Sequence, residues 1–318
     1  MHFYIGVDSG GTKTQTVLVN ADGQLLASHL AGSTDIFNIP EKQAKKILSS
    51  SIEKVLGQAG IEKKQVDYSC FAMSTYGDIP NRMNLIENIS AFASPSAHVV
   101  VNDVRAALEG AHPLAPGIVV LMGTGAMIMG KDQQDRISRV DGWGENVGDL
   151  GSGYYIGRRG LQEAFKAYDG RNPAASPLLE AALLHMSKTG DLFSIIERCK
   201  GSNSRGFIAG FCQYVTQLAD AGDEIASLII DESLSEIRVS IQTIIKKIPS
   251  KKILCSYAGS LFKCRTFKKG LDKIFEKENR LVLKPASVSP AIGAVILAVK
   301  NHRPENYEDI IKRIIRNQ

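Results

Sequence analysis

Cysteine is scarce in this chain, and apolar runs of membrane-spanning length are absent. The 318 residues include five cysteines with no close pair, so neither a disulfide framework nor a zinc knuckle is predicted. No apolar run approaches the roughly 20 residues that a membrane span requires. The N-terminus opens directly into the apolar residues 3–7, without the lead of a signal peptide. These absences predict a reduced, cytoplasmic protein with no membrane partner.

Charge of one sign is not concentrated either. The 38 basic and 33 acidic residues are intermixed, and the densest basic stretch, residues 263–269, is short. A nucleic-acid interface would need a clustered basic face with stacking or base-reading groups, so no nucleic-acid partner is predicted. The 44% hydrophobic content indicates an ordinary globular protein. Because single cores stop growing near roughly 250 to 300 residues, two domains are expected.

The chain contains one pattern twice. Strand-like segments at residues 3–7, 14–19 and 24–30 are followed by alternating helical and strand-like segments, which gives the order βββαβαβα. The order restarts at residue 118, with a helical insertion at residues 153–247. This duplication predicts an α/β protein of two similar lobes with a ligand between them.

The Pro- and Gly-containing linker at residues 111–117 marks the division between the lobes. It places residues 1–112 in the N-terminal lobe and residues 113–318 in the C-terminal lobe. The sequence leaves open whether the last helix packs on the N-terminal lobe.

Each copy of the pattern carries glycines at its first turn. Glycine permits positive φ and lets the backbone approach an anion, although either turn alone is also an ordinary hairpin. Recurrence at equivalent positions favours a clasp for nucleotide phosphates. Neither turn has the Gly-x-x-x-x-Gly-Lys-[Ser/Thr] pattern of a Walker A loop, and neither is a Rossmann fingerprint, because a strand and not a helix follows each. The predicted phosphate-binding residues are Asp8, Gly10, Gly11, Thr12, Lys13, Thr14, Gly123, Thr124 and Gly125. Asp8, at the end of an apolar strand, is placed to hold Mg²⁺ through water.

Four motifs together carry a family resemblance. They are Gly-Val-Asp-Ser-Gly-Gly-Thr-Lys-Thr at 6–14, Asn-Asp at 102–103, Gly-Thr-Gly at 123–125 and Gly-Trp-Gly…Gly-Asp-Leu-Gly-Ser-Gly at 142–153. The set resembles the N-acetylglucosamine kinase branch of the actin/hexokinase/Hsp70-like ATPases, which includes the BadF/BadG/BcrA/BcrD ATPases, over almost the whole chain. The resemblance implies duplicated ribonuclease H-like (actin-like ATPase) lobes, Mg-ATP as cofactor and an amino sugar substrate such as N-acetylglucosamine or glucosamine. A homodimer is common among similar kinases.

The resemblance also implies roles for individual residues. Asp103 corresponds to the general base that accepts a proton from the sugar hydroxyl, although an Asp at a helix start is also a common N-cap. Nucleotide contacts are implied for Gly210, Gly259 and Ser260. Sugar contacts are implied for one of Asp35 and Asn38, with Asn38 preferred, and for Ser74, Ala126, Met127, Gly142, Trp143, Gly144 and Asp149.

Two departures from the family pattern leave the identity of the sugar open. Asp141 stands where Gly is common, and Leu150 stands where Glu is frequent. The alternative function is a regulatory or reductase-activating ATPase of the BadF type, without a sugar substrate. The scattered cysteines do not suit the iron–sulfur cluster of such activators. A ROK-type kinase is disfavoured because its cysteine-rich zinc segment is missing, and a non-catalytic sensor is a third alternative.

Overall fold

The computed structural model describes residues 2–36, 39–74, 76–77, 80–186, 191–201 and 203–318. These residues form two compact units. The first consists of Met1–Gly117 together with Pro285–Gln318, and the second of Ile118–Lys284. The first division follows Gly117, five residues beyond the predicted boundary, and the C-terminal segment belongs to the first unit, a possibility that the sequence left open.

The bounds of the regular elements follow the predicted alternation closely. The strands are β1 (Phe3–Ser9), β2 (Lys13–Asn20), β3 (Leu25–Gly32), β4 (Val66–Met73), β5 (Ala97–Asn102), β6 (Gly117–Met122), β7 (Ala126–Lys131), β8 (Ile137–Asp141), β9 (Ile253–Ala258) and β10 (Leu281–Leu283). The α-helices are α1 (Glu41–Ala59), α2 (Pro80–Ala93), α3 (Asp103–Ala111), α4 (Gly153–Tyr168), α5 (Ser176–His185), α6 (Leu192–Lys200), α7 (Ser204–Ala221), α8 (Glu224–Lys247), α9 (Arg265–Glu276), α10 (Pro290–His302) and α11 (Tyr307–Arg316).

The sheet of the first unit has the strand order β3-β2-β1-β4-β5. β1 pairs antiparallel with β2 and parallel with β4, and β4 pairs parallel with β5. The register places Ser9 opposite Met73 and Met73 opposite Asn102. The carboxyl ends of β1, β4 and β5 therefore meet at one edge, the position where open α/β sheets bind ligands.

Helix α10 belongs to the core of the first unit and packs against β1, β4 and α3. Glycines permit the close approach: a Cβ on Gly6 would lie 2.3 Å from the Ala291 carbonyl oxygen, and one on Gly293 would lie 2.1 Å from that of Ala106. The apolar run of α10 is buried on nearly all sides, as expected for a helix inside a core.

The sheet of the second unit has the order β10-β9-β6-β7-β8. Read from its other edge, this order repeats that of the first sheet element by element. Helices α4 to α8 form the insertion, and their Ile, Leu and Phe side chains fill the largest cluster of buried residues. The predicted α/β class, with a duplicated order and a helical insertion, is confirmed. Over the described residues, no helix combines the length and apolar character needed to cross a bilayer.

Candidate functional site

The first glycine turn joins β1 to β2. Gly10 N–H donates to the Lys13 carbonyl at 3.0 Å, and Ser33 Oγ donates to the Gly10 carbonyl at 3.2 Å. Neither Gly10 nor Gly11 has a positive φ, so positive φ, one of the two expected reasons for glycine at this turn, does not apply. A Cβ on either residue would meet no atom nearer than 3.9 Å, the closest at Gly11 being Asp35 Oδ2. The glycines thus leave the backbone of the turn uncovered.

The hydroxyls behind this turn face inward. Thr14 is fully buried, and its Oγ1 donates to Ser9 Oγ at 3.3 Å, while Thr34 Oγ1 contacts both hydroxyls. Thr12 and Lys13 are exposed. Among the predicted phosphate ligands, Thr14 therefore supports the turn from inside, and the side chains of Thr12 and Lys13 face solvent.

Three predicted residues lie at the carboxyl edge of the first sheet. Asp8 is near the end of β1, Ser74 follows β4 and donates its N–H to the Ser9 carbonyl at 2.8 Å, and Asp103 follows β5. The N-cap of α3 is Asn102, whose side chain accepts from Val104 N at 3.0 Å. Asp103 Oδ1 also accepts from Val104 N, at 2.8 Å. The N-cap position weighed for Asp103 is thus held by Asn102, and the two side chains share the Val104 N–H. Asn38, the other candidate on this unit, lies outside the described residues.

Asp8 offers a carboxylate that fits a divalent cation. Burial raises the pKa of Asp8 to about 6, and Lys13 opposes the shift only in part. A cation beside the carboxylate would favour its charged form again. One protein carboxylate with water and phosphate oxygens is the donor set that Mg²⁺ usually takes, so these residues fit the ion.

The second glycine turn joins β6 to β7 and rests on the start of α4. Gly153 N–H donates to the Gly123 carbonyl at 2.8 Å, and Tyr154 N–H donates to the Thr124 carbonyl at 3.0 Å. Gly259 approaches from the other side: it has φ +133°, and a Cβ there would lie 1.9 Å from the Met122 carbonyl oxygen. Gly259 is therefore required for packing against the turn.

A cavity of about 550 Å³ opens over this turn and brings four predicted residues together. Its lining includes Gly123, Thr124, Gly210 and Ser260. The volume falls in the range of small-molecule and cofactor sites.

One wall of the cavity was missed by the sequence reasoning. Gln213, Thr216, Gln217 and Asp220 of α7 line it. Their spacing of i, i+3, i+4 and i+7 forms a polar stripe beside the buried apolar face of α7, and that signal was available in the sequence.

Asp149 holds a strained and buried position beside the second turn. Its φ is +55°, and its side chain is buried. Oδ1 accepts from Ala126 N at 3.2 Å, and Oδ2 accepts from Arg205 Nη2 at 2.8 Å. Burial raises the pKa of Asp149, and the Ala126 and Arg205 hydrogen bonds oppose this shift. Arg205 was not predicted, because it lies on α7 far along the chain.

The loop between β8 and α4 is held by Asp141. Its carboxylate accepts hydrogen bonds from the backbone N–H groups of Gly142 at 2.7 Å, Asp149 at 2.8 Å and Leu150 at 2.9 Å. The φ of Asp141 is +62°, in the left-handed region that favours glycine, the residue that the family resemblance leads one to expect here. Asp141, one of the two departures from the family pattern, thus stabilises the loop through three hydrogen bonds to its backbone.

Trp143 sits on this loop between two glycines of positive φ, Gly142 and Gly144. It is 58% exposed, and the Arg139 guanidinium lies 4.2 Å from its ring centroid. Met127 packs where a Cβ on Gly142 would otherwise lie. The predicted sugar residues of the second unit therefore lie close together, and the Trp143 side chain among them is partly exposed.

Comparison with known proteins gives one family and several relatives. The sequence profile of the BadF/BadG/BcrA/BcrD ATPase family matches residues 5–298. The chain is 27% identical to an N-acetylmuramic acid/N-acetylglucosamine kinase of Clostridium acetobutylicum, over 94% of this chain and 98% of that protein. It is 28% identical to an N-acetyl-D-glucosamine kinase of Dictyostelium discoideum, with the same coverage of 94% and 98%.

The fold is shared with solved structures at lower identity. A Chromobacterium violaceum protein with a provisional N-acetylglucosamine kinase name superimposes with a TM-score of 0.75 at 24% identity, covering 93% of this chain and 98% of the other. A ROK family glucokinase from Streptomyces griseus, solved with glucose and AMPPNP, gives a TM-score of 0.54 at 16% identity, covering 94% and 99%. At these identities the likeness concerns the fold alone.

Proposed function

Because this chain belongs to the BadF/BadG/BcrA/BcrD ATPase family, we propose that it is an ATP-dependent kinase of an amino sugar. The observation that carries the proposal is the cavity of about 550 Å³ built on the second of two equivalent glycine turns. Two relatives that match nearly the whole chain are named as N-acetylglucosamine kinases, which supports a sugar as the phosphoryl acceptor.

In this proposal the nucleotide lies in the cavity of the second unit. The backbone of Gly123 and Thr124 meets the phosphates, and Gly210 and Ser260 line the part that takes the adenosine. On the first unit, the backbone of Gly10 and Gly11, where a Cβ would meet no atom nearer than 3.9 Å, and the exposed Lys13 are likewise proposed as phosphate-binding groups. Mg²⁺, held by Asp8 through water and by the phosphates, would neutralise charge on the transferred phosphoryl group.

Asp103 is proposed as the general base. It stands at the edge where β1, β4 and β5 end, as the first residue of α3, and its neighbour Asn102 holds the N-cap position. It would accept the proton of the sugar hydroxyl as that oxygen bonds to the γ-phosphorus and the bond from that phosphorus to the bridging oxygen breaks, releasing ADP. Asp149 would bind the sugar by accepting hydrogen bonds from its hydroxyl groups. Trp143 would contact the sugar with its partly exposed ring.

The test is a panel of sugars with purified protein and Mg-ATP. N-acetylglucosamine, glucosamine and N-acetylmuramic acid are offered separately, ADP release is followed, and the product is identified by mass spectrometry. The proposal expects ADP and phosphosugar in equal amounts with one or more of these sugars. ADP release that is independent of sugar would instead support the regulatory ATPase.

A further inference from the structure

Three potential metal ligands converge in the first unit, away from the glycine turns. His2 precedes β1, Asp67 lies at the start of β4, and His302 ends α10. Ligand atoms of the three side chains all lie within 4.8 Å of one another. They lie at the amino ends of β1 and β4, so the length of a seven-residue strand, about 20 Å, separates them from the carboxyl edge that carries Asp103.

The backbone and a buried tyrosine orient two of these side chains. Phe3 N–H donates to Asp67 Oδ2 at 2.8 Å, which leaves Oδ1 directed at His2 Nδ1, 2.8 Å away. The hydroxyl of Tyr4, a fully buried residue, lies 3.1 Å from His302 Nδ1. With Nδ1 engaged, Nε2 is the nitrogen that His302 presents to a metal. Such outer hydrogen bonds are typical of metal-ligating histidines and carboxylates.

The spacing and the donor atoms suit zinc. Bonds of about 2.0 to 2.1 Å in a tetrahedral site place ligand atoms about 3.3 Å apart. That value lies between the 2.8 Å that separates His2 Nδ1 from Asp67 Oδ1 and the 4.8 Å within which all three ligand atoms lie. Two imidazoles and one carboxylate favour Zn²⁺ over Mg²⁺ or Ca²⁺, which prefer oxygen ligands alone.

We propose that His2, Asp67 and His302 bind one Zn²⁺ ion, with water in the fourth position. The ion joins the segment before β1 and the end of α10 to β4. α10 belongs to the C-terminal segment that returns to the first unit, so the ion would hold that segment against the first unit's sheet. The competing interpretation is an ordinary ion pair between His2 and Asp67, which would contribute little to the free energy of unfolding.

The experiment is a calorimetric titration of metal-free, full-length protein with Zn²⁺ under reducing conditions. One ion per chain and a higher melting temperature with Zn²⁺ are expected. His2→Ala and His302→Ala should each weaken binding by at least about tenfold, and Tyr4→Phe by about 10- to 100-fold. His29→Ala is the matched control, because this histidine hydrogen-bonds Ser51 outside the cluster and its loss should leave Zn²⁺ affinity unchanged.

Two results would overturn the proposal. The first is an absence of stoichiometric Zn²⁺ binding by the folded wild-type protein. The second is full affinity in the double variant His2→Ala/His302→Ala, which would assign the ion to other groups such as the cysteines. Because His2 is exposed, His2→Ala alone is expected to keep the fold, and circular dichroism checks this. The readout is metal binding, so it does not depend on the proposed kinase activity.

Discussion

Arg205 donates from Nη2 to Asp149 Oδ2 at 2.8 Å and thereby joins the helical insertion to the loop that precedes α4. The same guanidinium lies 3.2 Å from Glu145 through its Nε. Because Ala126 N occupies the other oxygen of Asp149, the carboxylate is held from two sides. Arg205 is therefore a positioning residue for a side chain that we propose to bind the sugar.

Replacing Arg205 by Gln should raise the KM for the sugar by about tenfold and leave the KM for ATP nearly unchanged. The physical reason is the loss of a hydrogen bond between charged groups, with a contribution of about 1.5 to 3 kcal/mol, reduced here by the exposure of Arg205. Steady-state kinetics with each substrate varied in turn measures the two constants. Glu145→Gln is the control, since it removes the second ion pair and spares Asp149. Equal losses for ATP and sugar would contradict the positioning role.

Asp103→Asn should lower kcat by about 10²- to 10⁴-fold while the Kd for ATP stays the same. The amide keeps the shape of the side chain but does not accept the hydroxyl proton. Single-turnover kinetics and nucleotide titration measure the two effects separately. Asp223→Asn provides the matched control, because Asp223 caps α8 and Asn caps helices equally well. An unchanged kcat in Asp103→Asn would remove this residue from the mechanism.

Asp8→Asn should raise the melting temperature at pH 7 and abolish Mg²⁺-dependent turnover. Burial raises the pKa of Asp8 from 3.8 to about 6, so the folded state binds the proton more tightly than the unfolded state does. Stability of the wild type therefore falls as the pH rises from about 4 to about 6, and the variant lacks this loss. Thermal unfolding from pH 3.5 to pH 7 should show the difference growing across that window.

Strand bounds and turns could be predicted from the sequence, and contacts between residues far apart in the sequence could not. β1 is a run of apolar residues ending at a glycine turn, and its bounds and turn depend on neighbours in sequence. The ion pair between Asp149 and Arg205 joins residues 56 positions apart, so no local pattern encodes it. The return of α10 to the first unit is of the same kind, because it rests on contacts such as Gly6 with Ala291.

The conformation of glycine was also beyond the sequence. Gly10 and Gly11 were expected to have positive φ, whereas positive φ occurs at other glycines, among them Gly142, Gly144 and Gly259. The sequence alone does not tell why a position is glycine. One glycine is needed because its φ is positive, and another because a side chain would block the approach of a ligand or of a second backbone segment. Only the surrounding atoms separate these cases.

Gly123→Ala and Gly259→Ala test that distinction on one turn. A Cβ at Gly123 meets no atom within 4 Å, so the variant should fold like the wild type. Its methyl group would face the nucleotide cavity and should weaken ATP binding by about tenfold or more, because it holds the phosphates away from the backbone amides. Gly259→Ala should instead lower stability by about 1 to 3 kcal/mol, since its Cβ would lie 1.9 Å from the Met122 carbonyl oxygen at φ +133°.

Thermal unfolding and ATP titration of both variants give the comparison. Loss of ATP affinity in Gly123→Ala without loss of stability would locate the phosphates at this turn, because folding and binding are then separated at a single methyl group. ATP binding of wild-type strength in a folded Gly123→Ala would place the phosphates elsewhere. Wild-type stability in Gly259→Ala would mean that the backbone of β9 can withdraw from β6 at little cost, and the close contact at Met122 would then not explain the glycine.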